Sequence, residues 1–562
     1  MDFEFKAGGG YVVARRAWSR VMPADFAVQC RVRGRGVIHQ LELKLVDAGG
    51  QNVWRRVIEN LTLGARWKRL RVPSRDIDFA WGPAGGGSIA ELGFIEFAVV
   101  AREAGTGSLS IADVDVEDLT PKEPPRATAS SAVPGFEAAA ALGTAGWKPR
   151  PDDERPWIVI DSRAPRGFGG LVIDWREHAP ASGFRVRTSM SGLRWKTIYA
   201  AARAGGTRSY VYLPDARSRF LRLELEEPSA GASLRLQSFE FSRSLEAFWQ
   251  HIAASEARGA HPRWLHREQS LWTPVGTAHG DYCMLINEDG MVEPALGSCS
   301  IEPMLLIDGR VVTWADVEAR QELLADWAPV ATVVWRSADW GLRIRAEATV
   351  SGALRVRYGF ENLGTRALSA RLFVLVRPFQ VTPPWQKFRA LGGVSPVRDL
   401  NARDGEVRVN ESLRLLPRPA GAQFTALRFD QGIPVALLQT GPLPAGPAVH
   451  DATGNASGVF AFDLALQPGE SAESLICCAS GDAAPDPDEP AFDWLACVAV
   501  DLWSGNGWAA DAIRALWTAT AQILVTRSGP ALQPGPRRYT RSWIRDGAMM
   551  SAALLRTGHA AE

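Results

Sequence analysis

The feature that most constrains this chain is a period-two alternation of apolar and polar residues. It recurs along most of the length and is broken by glycine- and proline-rich turns. Leu41, Leu43 and Leu45 fall on one face of an extended segment, with Glu42 and Lys44 on the other. Leu221, Leu223 and Leu225 alternate with Arg222, Glu224 and Glu226, and Leu354, Val356, Tyr358 and Phe360 alternate with Arg355 and Arg357. A helix repeats about every 3.6 residues, so it cannot gather such a pattern on one face. Strands with one apolar face must bury it against a second sheet, which predicts sandwiches or jelly rolls. Residues 372–376 form a continuous apolar run, as in a strand covered on both faces.

Two proline-rich, charged stretches without an apolar face read as linkers: LTPKEPPR at 119–126 and GDAAPDPDEP at 481–490. A softer boundary lies near Ser242, where a strand pattern gives way to a helical one. For 562 residues, a domain size of roughly 100–200 residues implies about three to five domains. The expected division is a jelly roll over 1–119, a second β-sandwich over 127–243, a connecting helix over 244–262, a large antiparallel sandwich over 263–481 and helices over 491–562. Ser244 is a candidate N-cap, before an apolar stripe of Leu245, Phe248, Trp249 and Ile252. In the tail, residues 510–525 carry Ile513, Leu516, Trp517, Ile523 and Leu524 at helical spacing. A second helix is predicted from near Asp546 through Met549, Met550, Leu554 and Leu555. Two helices make no core by themselves, so the tail is expected to be the start of a longer helical domain. The fold class is mainly β and multidomain, ending in a short α-helical hairpin.

Composition removes several functions. Lys and Arg number 63 against 62 Asp and Glu, a net charge of +1, which excludes a general nucleic-acid-binding role. No apolar run reaches the ~18–20 residues that span a bilayer. The first residues, MDFEFK, lack the basic and apolar regions of a signal peptide, so a cytoplasmic location is expected. The six cysteines form no CxxC pair or zinc-spaced cluster, and no HExxH occurs, so neither metal nor cofactor is predicted for chemistry. Buried thiols are expected, with a disulfide between Cys283 and Cys299 left open. There are 21 Trp against 7 Tyr, which leans towards flat polar ligands, so the expected partner is an oligo- or polysaccharide. Oligomeric state is not legible.

The most informative stretch is QPGPRRYTRSWIRDGAMMSAALLRTG, residues 533–558. Its Trp543-x-Arg545-Asp546 motif resembles that of the six-hairpin (α/α)6 glycosidases, the glucoamylase-like clan. The resemblance implies that Arg545 and Asp546 bind sugar hydroxyls, with Trp543 and Tyr539 as nearby walls. The chemistry is coherent, because a guanidinium donor beside a carboxylate acceptor satisfies a pair of vicinal hydroxyls, and an indole stacks on a pyranose face. The plain alternative is an Asp546 helix cap, a surface Arg545 and a core Trp543. The clan's general acid and base come from later barrel helices, so no catalytic residue is named. The clan implies two carboxylates about 6.5–9.5 Å apart for inversion.

Residues 127–241 resemble a discoidin domain, the coagulation factor 5/8 type C module. The carrying stretches are ATASSAVPGFEAAAALG, GFGGLVIDW, FRVRTSMSGLRWKTIY and RSRFLRLELEEP. Such modules commonly bind glycans through loops at one end, and Trp147, Trp157 and Trp175 are either ligand platforms or core. Residues 1–119 resemble the carbohydrate-binding jelly rolls of bacterial glycosidases, on LELKLVDAGGQNVW and IDFAWGPAGGGSIAELGFIEFAV. Trp54 and Trp81 sit at or beside turns there, as candidate glycan platforms or as lids over the core. These module types often hold a structural Ca²⁺, although no ligand cluster is visible. LWTPVG (271–276), INEDGMVEP (286–294) and VVTWADV (311–317) resemble the supersandwich that precedes the clan's barrel. Glu288, Asp289 and Glu293 form a tempting carboxylate group, yet Asn-Glu-Asp-Gly is a turn signature. PPWQK (383–387) and Gly392–Gly393 mark a long loop. The expected function is the N-terminal portion of a carbohydrate-active enzyme, an inverting glycoside hydrolase with glycan-binding modules. The alternatives are a non-catalytic glycan-binding scaffold or a phosphorylase on the same barrel.

Overall fold

The alternating segments do form antiparallel sheets. The computed structural model describes residues 1–6, 10–36, 38–59, 61–143, 145–175, 181–201, 208–226, 234–239, 245–279, 283–386, 391–432, 434–440, 443, 446–481, 484–498 and 507–561. The Ser244 cap, the boundary at Ser242, part of the 481–490 linker and Lys387 lie outside the described residues. The chain divides into two units, Met1–Val172 with Ala181–Ala202 and Tyr212–Phe248, and Trp249–Glu562 with Ile173–Pro180 and Arg203–Val211.

The first unit begins with a two-sheet sandwich. One sheet runs Gly10–Val21, Glu91–Ala101, Gln40–Asp47, Val53–Glu59, Asp78–Trp81; the other runs Asp2–Phe5, Gly105–Asp118, Phe26–Gly36, Lys68–Pro73. Leu41, Leu43 and Leu45 point inward with Ile95, Phe97 and Val99, against Phe26, Val28, Val32 and Val116. Next comes a six-stranded sheet in the order Arg126–Ala129, Trp157–Trp175, Arg208–Glu226, Gly183–Ser189, Lys196–Ala201, with Leu234–Phe239 also beside Trp157–Trp175. Here Leu221, Leu223 and Leu225 are buried while Glu224 is not, as the alternation requires.

Helix α1 (Leu245–Ser255) leads into the second unit. That unit is built on an eight-stranded and a nine-stranded antiparallel sheet. Strand Leu368–Arg377, holding the continuous apolar run, lies between Ser300–Ile307 and Ser457–Leu466 at the centre of its sheet. Leu372, Val374 and Val376 meet Val356, Tyr358 and Ile476 of the opposite sheet in one core. Further helices follow: α2 (Pro434–Thr440), α3 (Trp494–Val498), α4 (Trp508–Thr526) and α5 (Ile544–Arg556). Ala521, Leu524 and Val525 of α4 and Leu554 of α5 close a separate cluster with Trp327, Val330 and Trp494. No helix among the described residues is long and apolar enough to cross a membrane.

Many of the tryptophans are packing residues, so their number alone does not report a ligand. Buried indole N–H groups of Trp147, Trp264, Trp314, Trp335 and Trp494 each donate to a backbone carbonyl. Trp249 donates to Asn455 Oδ1 at 2.8 Å. A buried indole must find an acceptor, and loop carbonyls supply it while the rings fill large voids. The six cysteines are free, so the Cys283–Cys299 disulfide is not formed.

Candidate functional site

The tail motif is built on one buried ion pair. Arg537 opens the turn before α5 and is almost wholly buried. Its Nη2 and Nε donate to Glu293 Oε1 at 2.8 and 3.2 Å, and Nη1 donates to the Cys283 carbonyl at 3.3 Å. Glu293 accepts further N–H bonds from Gly297 and Val381 at 2.8 and 3.0 Å. Glu293, a tempting acid in sequence, is therefore the socket for the tail. Its neighbours are equally committed. Asp289 takes Arg263 in a bidentate pair, both contacts 2.7 Å. Asn287 Oδ1 accepts from the N–H groups of Asp289 and Met291 around a Gly290 at φ +88°, which is the turn the Asn-Glu-Asp-Gly signature describes. Burial raises the pKa of both Glu288 and Asp289.

Beyond this anchor the four tail candidates form two contacts. The Tyr539 and Trp543 ring centroids are 6.1 Å apart, and Arg545 Nη2 lies 3.3 Å from Asp546 Oδ2. Trp543, not Asp546, is the N-cap of α5, and its carbonyl accepts from Gly547 N–H at 2.7 Å. Asp546 stands in the first turn, where a carboxylate favours the helix dipole, so its expected capping role is corrected. The Arg545 side chain is 83% exposed against 29% for Asp546, while Tyr539 and Trp543 show open ring surface. The arrangement offers donors, an acceptor and two rings on an open surface.

In the jelly roll the two indole candidates part. Trp54 is only 6% exposed, packs edge-on to Phe79 and donates its Nε1–H to the Gly87 carbonyl at 2.7 Å. It is a core residue, which corrects its candidacy: its place in the register turns it inward beside Leu45. Trp81 ends the strand Asp78–Trp81 and is 48% exposed. It is followed by Gly82 at φ +133°, where a Cβ would lie 2.5 Å from Asn52 Oδ1, so the turn that ends at the indole needs glycine. Lys44 Nζ and Arg55 Cζ lie 5.6 and 5.9 Å from the Trp81 ring. Both cations also meet Glu42, at 3.3 and 3.2 Å. Further along the sheet, Arg15 lies over the Phe94 ring at 3.8 Å. The outer face thus carries one open indole beside a carboxylate gripped by two cations. Glu42 and Lys44 were legible as the polar partners of Leu41, Leu43 and Leu45; Arg55 was not, because it joins them through cross-strand register.

In the middle sheet Trp147 and Trp175 are buried, with indole N–H bonds to the Ser131 carbonyl and Ser209 Oγ, both 2.8 Å. Trp157 is half-buried under Arg222, whose Cζ is 4.6 Å from its ring. Ser189 Oγ accepts from the N–H groups of Ser191 and Gly192, so the Ser-Met-Ser-Gly stretch is a structural turn. Among the described residues no group of three or more His, Cys, Asp or Glu side chains is placed to hold a metal ion.

Residues 126–237 match the family model of the F5/8 type C domain. Among solved structures, chitosan-binding module 1 from a chitosanase/glucanase of Paenibacillus sp. IK-5 is 24% identical, over 20% of this chain and 89% of that one, with a TM-score of 0.18. Module 2 of the same enzyme, in complex with chitotriose, is 19% identical over 20% and 95%, with a TM-score of 0.18. A family 89 glycoside hydrolase from Clostridium perfringens in complex with PUGNAc is 15% identical over 25% and 18%, with a TM-score of 0.19. No curated protein matches the chain.

Proposed function

We propose that this chain recognises saccharides and belongs to a carbohydrate-active enzyme of the inverting glycoside hydrolase type, as its glycan-binding portion. The observation that carries the reading is the outer face of the five-stranded sheet. There the half-open Trp81 indole lies beside Lys44, Arg55 and Glu42. A pyranose stacked on that ring meets the partly exposed Arg55 guanidinium as a donor at its hydroxyl edge, with Glu42 holding that guanidinium in place. The F5/8 type C match at 126–237 supports an accessory-module organisation. Arg545 and Asp546 are assigned to sugar hydroxyls in the helical tail, with Tyr539 and Trp543 beside them.

A second reading, a non-catalytic glycan-binding scaffold, is favoured by one specific observation: Arg545 stands in solvent, with Asp546 as its ion-pair partner. Titration calorimetry of the full chain against neutral oligosaccharides tests the first reading. Binding that falls about tenfold or more in Trp81→Ala supports it. Binding unaffected by that substitution removes the sheet face as the site. Sugar release tested with and without inorganic phosphate separates hydrolase from phosphorylase.

A further inference from the structure

The second unit holds a cleft of about 620 Å³ that no comparison assigns, within the roughly 300–1,000 Å³ usual for small-ligand sites. One wall is the segment Gln269–Trp272, which leads into the edge strand Trp272–Val275. The other is the short 3-10 turn Pro384–Gln386.

Both walls are fixed from behind. Glu288 Oε2 accepts the Leu271 N–H at 2.9 Å, and the Trp272–Val275 strand pairs with Met284–Asn287. On the opposite side, the Val381 N–H donates to Glu293 and the Gln380 carbonyl accepts from Trp264. The Gln380 side chain closes the base of the loop by accepting from Gly392 N–H at 2.6 Å.

What faces the cleft is chemically selective. Trp385 is 50% exposed, so part of its ring faces solvent, where a sugar face can pack against it. Gln269 and Gln386 supply amides that donate and accept. Ser270 is 7% exposed, yet its hydroxyl has no hydrogen-bond partner among the described residues. Burial without a partner is costly, so this hydroxyl is poised for a ligand group. Arg267 is exposed and holds a left-handed backbone, φ +60°, at a helix end where glycine is usual. Among the described residues it forms no ion pair. The adjacent carboxylate, Glu268, is already taken by Arg258 at 2.7 and 2.8 Å. No Asp or Glu lines the cleft among the described residues.

We infer that this cleft binds an acidic saccharide, with Arg267 on a uronate carboxylate, Trp385 against the ring, and Ser270 and the two glutamines on hydroxyls. No carboxylate among the described lining residues neutralises the arginine, and its planar fork fits a ligand carboxylate. The inference rests on the saccharide-binding reading, but it places a second site in the other unit.

The test is titration of the full chain with oligogalacturonate, oligomannuronate and oligoglucuronate, and with a neutral cello-oligosaccharide as the contrast. Arg267→Gln and Trp385→Ala are the variants, with Trp81→Ala as the independent control. At least one oligouronate is expected to bind, more weakly at high salt, and to lose about tenfold or more in each cleft variant, as for a charge-assisted contact. Trp81→Ala is expected to leave that binding unchanged. Absence of binding by all three oligouronates, or binding indifferent to both cleft variants, overturns the site. Equal binding of the neutral oligosaccharide at the cleft overturns the acidic assignment. If neutral sugars bind and depend on Trp81 while no oligouronate binds, the saccharide reading survives and this inference alone fails.

Discussion

The outer face of the jelly roll and the interior of the second unit use the same residue types in opposite ways. On the sheet face, Glu42 is held by Lys44 and Arg55 beside an open indole. In the second unit, Glu302 with Arg377 and Glu293 with Arg537 form ion pairs sealed from water. Arg377 also donates to the Ala260 carbonyl at 2.6 Å, so its hydrogen-bonding capacity is spent within the protein. A sealed pair positions chain segments and cannot reach a ligand. On the sheet face Glu42 is likewise covered by its two cations, and what stays within reach of a ligand is the Trp81 ring and the partly exposed Arg55 guanidinium. The number of charged groups says nothing about function until their exposure is known.

The sharpest way to break this contrast is Arg537→Ala, which leaves Glu293 buried without its guanidinium. A loss of about 3–5 kcal/mol is expected in denaturant unfolding followed by tryptophan fluorescence. Arg545→Ala, on the exposed side of the same tail, should change stability by about 0.5 kcal/mol or less. Equal losses would mean that the tail is not held through Glu293.

The two jelly-roll tryptophans give the next largest difference. Trp54→Ala is expected to cost about 3–5 kcal/mol through cavity formation, with saccharide affinity reduced only as the fold is. Trp81→Ala should cost about 1 kcal/mol or less and abolish the sheet-face affinity. Thermal melts paired with calorimetry check both outcomes.

Acid sharpens the comparison further. His261 is fully buried, neither ring nitrogen has a hydrogen-bond partner among the described residues, and burial, with the charge of Arg377 and with His266 nearby, holds its pKa well below the ordinary 6.5. The unfolded chain therefore binds more protons below that value. The contribution of neutral His261 is full above 6.5 and is lost as pH falls further. His266 is shifted the same way by burial. In the first unit the sign is opposite. Hydrogen bonding to Arg219 holds Asp161 at about 2, below its ordinary 3.8. Its contribution is full above 3.8 and fades only as pH falls towards about 2. Hydrogen exchange between about pH 6 and 4.5 should thus weaken protection in the second unit while the strand around Asp161 holds. His261→Phe should flatten that decline. The smallest effect concerns thiols: burial raises Cys30 to about 11 and Cys299 to about 12, so native alkylation should be far slower than in denaturant.

Much of the β architecture was legible because alternation is local. Leu41, Leu43 and Leu45 report a buried face without knowing what covers it, and Glu42 and Lys44 report the opposite face. The candidate sites were legible only in part. Trp54 and Trp81 looked alike beside their turns, and cross-strand register sent one inward and left the other open. Glu293 looked like one member of a carboxylate group, but its partner Arg537 stands 244 residues away. The Ser270–Trp385 cleft had only its two wall segments visible, as separate stretches more than a hundred residues apart.

What the sequence by itself determined is strand character, turn positions and the polarity of each strand face, since these follow from neighbours two residues away and from glycine's backbone freedom. Only the tertiary structure decided which indoles stay open, which carboxylates are neutralised and which loops share a cleft. Burial and ion pairing depend on segments that meet across hundreds of residues, and no periodicity within one strand encodes which distant surface will cover it.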